Sequence, residues 1–334
     1  MRIALSTLAG AALALGLIAG PAMAEDQGIV VYNAQHESLA KEWAKGFTKE
    51  TGIKVTLRNG GDSDFSNQIV AEGAASPADV FLTENSPAMA LVEAAGLFAP
   101  VDAETLAQVP QEYQPSSGKW VGVAARSTVF AYNKDKLKED QLPKSLLDLA
   151  DPSWKGRWAA SPSGADFQAI VSAVLATQGE AKTAAWLKGL AANGTTYDGN
   201  DVVLQSVNDG EVDAGIIYHY YWYRDQAENG ENSDHSALHF FGHQDPGAFV
   251  SISGAGVLVS SDHPTEAQQF VNFLASREGQ QAMAGSYALE YPLNPKVDLG
   301  HGVKPFGSLQ PPKVDPASLN SEKVVQLMQD AGLL

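Results

Sequence analysis

Residues 29–57 read IVVYNAQHESLAKEWAKGFTKETGIKVTL, and this stretch decides the fold. Ile29-Val30-Val31-Tyr32 is a short apolar run of strand length. Leu39, Trp43 and Phe47 then recur four residues apart, with Ala40 and Ala44 beside them, which predicts an amphipathic helix over 37–49. Gly52 ends it, and Ile53, Val55 and Leu57 alternate as a second strand. Strand, helix and strand at this spacing form a βαβ unit, which requires a parallel sheet covered by helices.

The same logic runs outward. A helix is expected over 66–75, a strand over 78–82, and a helix over 86–95 closed by Gly96. Residues 121–132 are β-rich and long enough to cross between domains. A second unit begins near Leu146 and Pro152-Ser153-Trp154-Lys155-Gly156. Phe167, Ile170, Val171, Val174 and Leu175 mark a buried helix face, and 181–192 and 202–209 also read as helical. A short strand follows at 214–218, and 249–260 is a second long β stretch. Pro264 suits a helix start, with Phe270, Val271 and Leu274 as its stripe. A terminal helix is expected over 321–331. The expected architecture is α/β, with two units joined by two crossing strands and a cleft between them. Residues 25–125 with about 251–300 form one lobe, and 126–250 with about 301–334 the other. Ligands in such sheets sit outside the carboxyl ends of the strands.

Bulk properties narrow the function. Arg2, the apolar run 5–20 and Ala22-Met23-Ala24 have the form of an export leader over 1–24, which predicts a periplasmic protein without direct membrane insertion. The chain has no cysteine, which removes disulfides, thiolate nucleophiles and soft-metal sites. With 22 basic against 39 acidic residues the formal charge is −17, which disfavours nucleic acid and anionic membranes as partners. Neither H-E-x-x-H, G-x-S-x-G nor a Walker-type loop occurs, so a hydrolase has little support and no enzyme is expected.

The chemistry concentrates at strand ends. Tyr218-His219-Tyr220-Tyr221-Trp222-Tyr223 follows the strand over 214–218. A phenol ionises near pH 10 and is a poor ligand for ordinary divalent ions, whereas a trivalent ion can displace its proton. Neighbouring residues on a strand face opposite ways, so Tyr220 and Tyr221 reach one ion only if the pair lies in a turn or first helical turn. His36 follows the first strand and offers an imidazole nitrogen. Glu84 follows the strand over 78–82, where a carboxylate also suits a helix start. Ser163-Gly164-Ala165 precedes a helix and exposes backbone N–H groups suited to an anion, with Asn200 and Arg126 as further donors. One carboxylate and two phenolates balance a trivalent ion, and oxygen-rich ligation suits a hard metal. The run also admits a stacking wall for an organic ligand such as a polyamine, a thiamine-like cation or a phosphorylated compound.

At these residues the chain resembles the bacterial periplasmic ferric-ion-binding proteins, the substrate-binding components of iron ABC transporters. The resemblance spans the expected mature chain and is carried by residues 31–36, 76–84, Ser163-Gly164-Ala165, Tyr220-Tyr221-Trp222, Asp245-Pro246-Gly247-Ala248 and Glu290-Tyr291-Pro292-Leu293-Asn294-Pro295. It implies a two-lobed periplasmic binding protein fold of type II that closes over Fe(III). His36, Glu84, Tyr220 and Tyr221 look like its metal ligands, and Ser163, Gly164, Ala165, Asn200 and Arg126 like binders of a synergistic anion, phosphate or carbonate-like. It further implies a monomer serving an inner-membrane ABC permease. Glu37 stands where some members place a second tyrosine, and Tyr218 where similar anion-binding members carry asparagine. Tyr218 is either packing or a hydrogen-bond donor behind the ligands.

Overall fold

A computed structural model describes residues 28–300 and 302–334; the expected leader lies outside the described residues. Strand β1 (Ile29–Asn33), helix α1 (Glu37–Thr51) and strand β2 (Val55–Asn59) form the βαβ unit, with Val31 in register with Leu57. Helix α1 buries Leu39, Ala40, Trp43 and Phe47, and Gly52, at φ 81°, closes it by donating to the Thr48 carbonyl. Helix α2 (Asp62–Glu72), strand β3 (Val80–Leu82), helix α3 (Ser86–Ala94) and the single turn α4 (Ala103–Leu106) follow. Strand β3 lies parallel to β1 on the side opposite β2.

Strand β4 (Val121–Asn133) is buried along its whole length. The second unit then comprises β5 (Trp158–Ala160), α5 (Ala165–Gln178), α6 (Glu180–Asn193), β6 (Thr195–Thr196), α7 (Asn200–Asn208), β7 (Ala214–Tyr218), α8 (His219–Ser233) and β8 (Ser236–His239). The chain returns along β9 (Val250–Val257) to α9 (Pro264–Ala275), α10 (Arg277–Ala284) and β10 (Tyr291–Pro292), and ends in α11 (Ser321–Asp330). The sheet order is β2-β1-β3-β9-β4-β7-β5-β6, with β8 and β10 also paired to β4.

The two-lobed architecture follows from how β4 is shared. Its first half pairs antiparallel with β9, up to Ser127 opposite Val250, and its second half pairs with β7, from Thr128 opposite Tyr218. Apolar cores change at the same place: Ala125 packs in the first core, Phe130 in the second. The return falls between Phe249, in the second core, and Val250, in the first. The tail behaves differently from the sequence expectation. Val303 is still in the first core and Phe306 and Leu309 pack on it, whereas Val314, Leu319, Val324 and Leu327 belong with the second. The tail therefore changes cores between Leu309 and Val314, later than the boundary near 301.

Candidate metal centre

Three segments that follow strands β1, β3 and β7 converge where the lobes meet. His36 sits between β1 and α1, in a loop held by Asn33, whose amide donates to the Gln35 carbonyl at 2.8 Å and to Asn59 Oδ1 at 2.9 Å. Glu84 lies between β3 and α3, and its backbone N–H donates to Asp62 Oδ1 at 3.0 Å. Strand β7 stops at Tyr218, so Tyr220 and Tyr221 fall in the first turn of α8. Their rings stack with centroids 4.2 Å apart, and the Tyr220 ring is 5.2 Å from that of His36. The helical turn thus supplies the geometry a strand would have denied.

Arg126 ties the centre together from β4. Fully buried, it reaches Glu84 Oε2 at 3.3 Å, Glu290 Oε2 at 2.7 Å and Asp166 Oδ1 at 3.9 Å. His36 Nδ1 is 2.9 Å from Glu84 Oε1. Burial opposes the Glu84 carboxylate, but the Arg126 charge and the His36 hydrogen bond outweigh it and hold Glu84 down at about 2. Burial likewise opposes the His36 imidazolium, yet the hydrogen bond to Glu84 and the charges of Glu84 and Glu290 raise it above the usual histidine range. Burial, followed by the Asp166 charge, pushes both Tyr220 and Tyr221 well above the usual phenol range. Burial and the Glu84 charge lift Asp62 up to about 8.

The residues expected to hold an anion are arranged otherwise. The Asn200 amide donates to Asp166 Oδ2 at 2.9 Å, and Arg126 is engaged by carboxylates. The Gly164 N–H donates to the Ser161 carbonyl at 3.1 Å, Ser163 is exposed, and Ala165 opens α5. At the start of α5 stands Asp166, a buried carboxylate that accepts from Tyr221 Oη at 3.1 Å and from Asn85 Nδ2 at 3.0 Å. Asp166, Asn85 and Asp62 carry no reading in the sequence, and Gln35 and Glu290 enter it only among the residues of the resemblance, without a role. An acid directly after Ser-Gly-Ala was the available signal for Asp166, but a carboxylate at a helix start is ordinary dipole pairing. Tyr218 is fully buried and donates at 3.3 Å to Asn85 Oδ1, so it links the lobes beside the candidate ligands.

Does this set suit a metal? Among the described residues no cluster of three or more His, Asp or Glu forms a metal cage, so the phenols are essential to any such site. The Tyr220 hydroxyl is buried without a hydrogen-bond partner among the described residues. An orphaned buried hydroxyl is costly, and a bound cation would relieve it. The donor set is oxygen-rich with a single imidazole, as a hard trivalent ion requires.

The role of Arg126 gives a stability prediction. Arg126→Met leaves Glu290 fully buried and Glu84 partly buried without their cation, so the metal-free protein should lose about 3–5 kcal/mol in urea unfolding. An unchanged midpoint would remove Arg126 as the electrostatic keystone.

Two α/β lobes joined by long shared strands, with a polar side-chain cluster where they meet, are the architecture of a two-lobed solute-binding protein. The chain belongs to the bacterial extracellular solute-binding protein family, whose profile matches residues 42–307, and within it to the ferric-ion-binding group. It is 61% identical to an Fe(3+)-binding periplasmic protein of Serratia marcescens, over 94% of this chain and 93% of that one. It is 42% identical to the major ferric iron-binding protein of Neisseria meningitidis, over 97% and 98% respectively. The crystal structure of iron-bound HitA from Pseudomonas aeruginosa superposes with a TM-score of 0.86 at 45% identity, covering 92% of this chain and 99% of that one.

Proposed function

We propose that this protein is a periplasmic carrier that captures Fe(III) between its lobes and delivers it to an inner-membrane ABC permease. It performs no covalent chemistry. His36 and Glu84 are ligands from the first lobe, and Tyr220 and Tyr221 from the second. The observation that carries this reading is the Tyr220 hydroxyl, buried and unpartnered beside His36, Glu84 and Tyr221. The names of the relatives agree with it.

The anion part of the reading shifts toward the chain itself. Asp166 accepts from Asn200, one of the donors the sequence offered to a phosphate or carbonate-like anion, and from Tyr221, and this supports a carboxylate of the chain in that role. An exogenous anion there would face a buried carboxylate at close range. Asp166 therefore serves as the built-in anion, and ferric binding should not depend on added phosphate or carbonate.

Lobe closure is the mechanism. Asn85 of the first lobe donates to Asp166 of the second and accepts from Tyr218, contacts available only when the lobes meet. A ferric ion shared by both lobes biases the equilibrium toward this form, which the permease then distinguishes.

A visible spectrum tests the reading. Chain lacking residues 1–24, stripped of metal and titrated with a soluble ferric complex in anion-poor buffer, should develop a broad tyrosinate-to-iron band saturating at one iron per chain. Asp166→Asn should weaken the band unless phosphate or carbonate is added. A colourless titration without binding would favour an organic ligand stacked on the tyrosines.

A further inference from the structure

Glu290 is outside the candidate ligand set, yet its side chain is completely enclosed beside it. Its Oε2 accepts from Arg126 Nη2 at 2.7 Å, from Gln35 Nε2 at 3.3 Å and from Ser253 Oγ at 3.5 Å. Its Oε1 faces His36 Nε2 at 3.3 Å, and neither of these two buried atoms makes a well-formed hydrogen bond among the described residues, to the other or to any further group, so each is the nearest unpartnered polar atom available to the other. The other ring nitrogen, Nδ1, faces Glu84. The imidazole thus stands between two carboxylates with different duties: one is a candidate ligand, the other is anchored on Arg126.

The backbone holds Glu290 in this position under strain. Leu289, immediately before it, adopts φ 55°, a left-handed conformation uncommon for a leucine. Leu289 packs in the second core, while Tyr291, immediately after, packs in the first and pairs with Ala125 beside Arg126. Both flanks of Glu290 are therefore fixed, and its side chain has one place to go.

Resting on the ferric reading, we propose that Glu290 is a positioning residue for the ferric ion. It accepts the Nε2–H of His36 and so fixes the tautomer whose Nδ1 lone pair, on the Glu84 side, binds the metal. A metal-bound imidazole generally needs such a partner on its far nitrogen, and losing that partner typically costs about 10–100-fold in metal affinity.

The test combines two readouts on the mature chain, Glu290→Gln and Glu290→Asp. The aspartate keeps the charge against Arg126, so the fold retains its buried pair, but it withdraws from His36. Histidine-15N-labelled protein is loaded with Ga(III), a diamagnetic stand-in for Fe(III), and the His36 nitrogens are read by long-range 1H–15N correlation. Ferric release to excess chelator is timed in parallel. In the wild type, Nδ1 should carry the metal-bound shift and Nε2 the proton. In Glu290→Asp the ring should no longer be held one way, so metal-bound shift and proton should be shared between the two nitrogens and iron should leave about 10–100-fold faster; Glu290→Gln, whose amide oxygen still accepts the Nε2–H, should fall between Glu290→Asp and the wild type. Coordination through Nε2 in the wild type would overturn the proposal. So would faster release with an unchanged nitrogen signature, or variants that match the wild type in both readouts. If the wild type takes up neither Ga(III) nor Fe(III), the ferric reading falls and this inference with it; normal ferric uptake with indifferent variants sinks the inference alone.

Discussion

Tyr220→Phe should lose ferric affinity by more than about a hundredfold while leaving the metal-free fold as stable as before or more so. The two effects have one cause. The Tyr220 hydroxyl is buried with no hydrogen-bond partner among the described residues, so the metal-free fold carries the cost of an unsatisfied polar group, about 1–3 kcal/mol. Phenylalanine keeps the ring against Tyr221 and under the Arg126 and Arg224 guanidinium groups, whose carbons lie 5.5 Å and 4.9 Å from its centre. It removes only the orphaned oxygen. An anionic ligand oxygen is lost outright, so the penalty on iron should exceed the about 10–100-fold range typical of residues that merely orient a ligand. Tyr221→Phe gives the contrast. Its hydroxyl donates to Asp166, so deletion leaves a buried carboxylate short of a donor and should cost about 1 kcal/mol in the metal-free state. Urea unfolding of both metal-free variants and ferric competition with a chelator decide the matter. Wild-type iron affinity in Tyr220→Phe would remove this residue from the ligand set.

Elements with strong periodicity were legible before any coordinates. The helix expected over 37–49 is Glu37–Thr51, and the crossing stretch expected over 121–132 is Val121–Asn133. Both signals are local: a stripe at helical spacing and a long apolar run. Strands β5, β6, β8 and β10 were not legible, because segments of two to four residues owe their geometry to partners distant in sequence. Helix α2 begins at Asp62, earlier than expected, because Asp62 turns inward to Glu84 and Asn85 instead of facing water. Helix α10 was missed for a related reason: it buries Gln280, whose amide bonds to the Val123 and Leu274 carbonyls, and a hydrophobicity pattern cannot register a polar core residue.

The centre divides along the same line. His36, Glu84, Tyr220 and Tyr221 stand out as candidates in the sequence because each follows a recognisable strand, where ligands of such sheets gather, and the structure brings their side chains together. Asp166 and Glu290 do not stand out, since an acidic residue in a loop or at a helix start is solvated by default. Long-range packing makes them buried, and the Arg126 charge together with donors such as Asn85, Asn200 and Gln35 makes the buried carboxylates tolerable. Arg126 was expected to draw in a foreign anion; instead its charge is engaged by Glu84 and Glu290. That difference turns on partners far apart in the chain.

Acid should release the iron steeply, with conditional affinity falling about a hundredfold per pH unit through the neutral range. In the metal-free protein burial and then the Asp166 charge raise both phenols above their usual range, so each carries its proton throughout about pH 5 to about pH 8. A ferric ion that binds both as phenolates must displace two protons, and each displaced proton contributes about tenfold per pH unit. Glu84 adds no slope there, because its folded value is about 2 and it is ionised across the window. His36, raised above the usual histidine range by Glu84 and Glu290 against the opposing effect of burial, must also give up a proton wherever the imidazolium is populated. The sign is the same, so the dependence should steepen toward acid and never reverse. Competition against a chelator of known protonation, repeated at several pH values, measures the slope free of ferric hydrolysis. Tyr220→Phe and Tyr221→Phe should each lower it by about one proton, provided enough binding survives to measure. A slope near zero in the wild type would mean that iron binds without deprotonating the phenols, and the visible band should then be absent as well, since charge transfer to iron needs a phenolate oxygen.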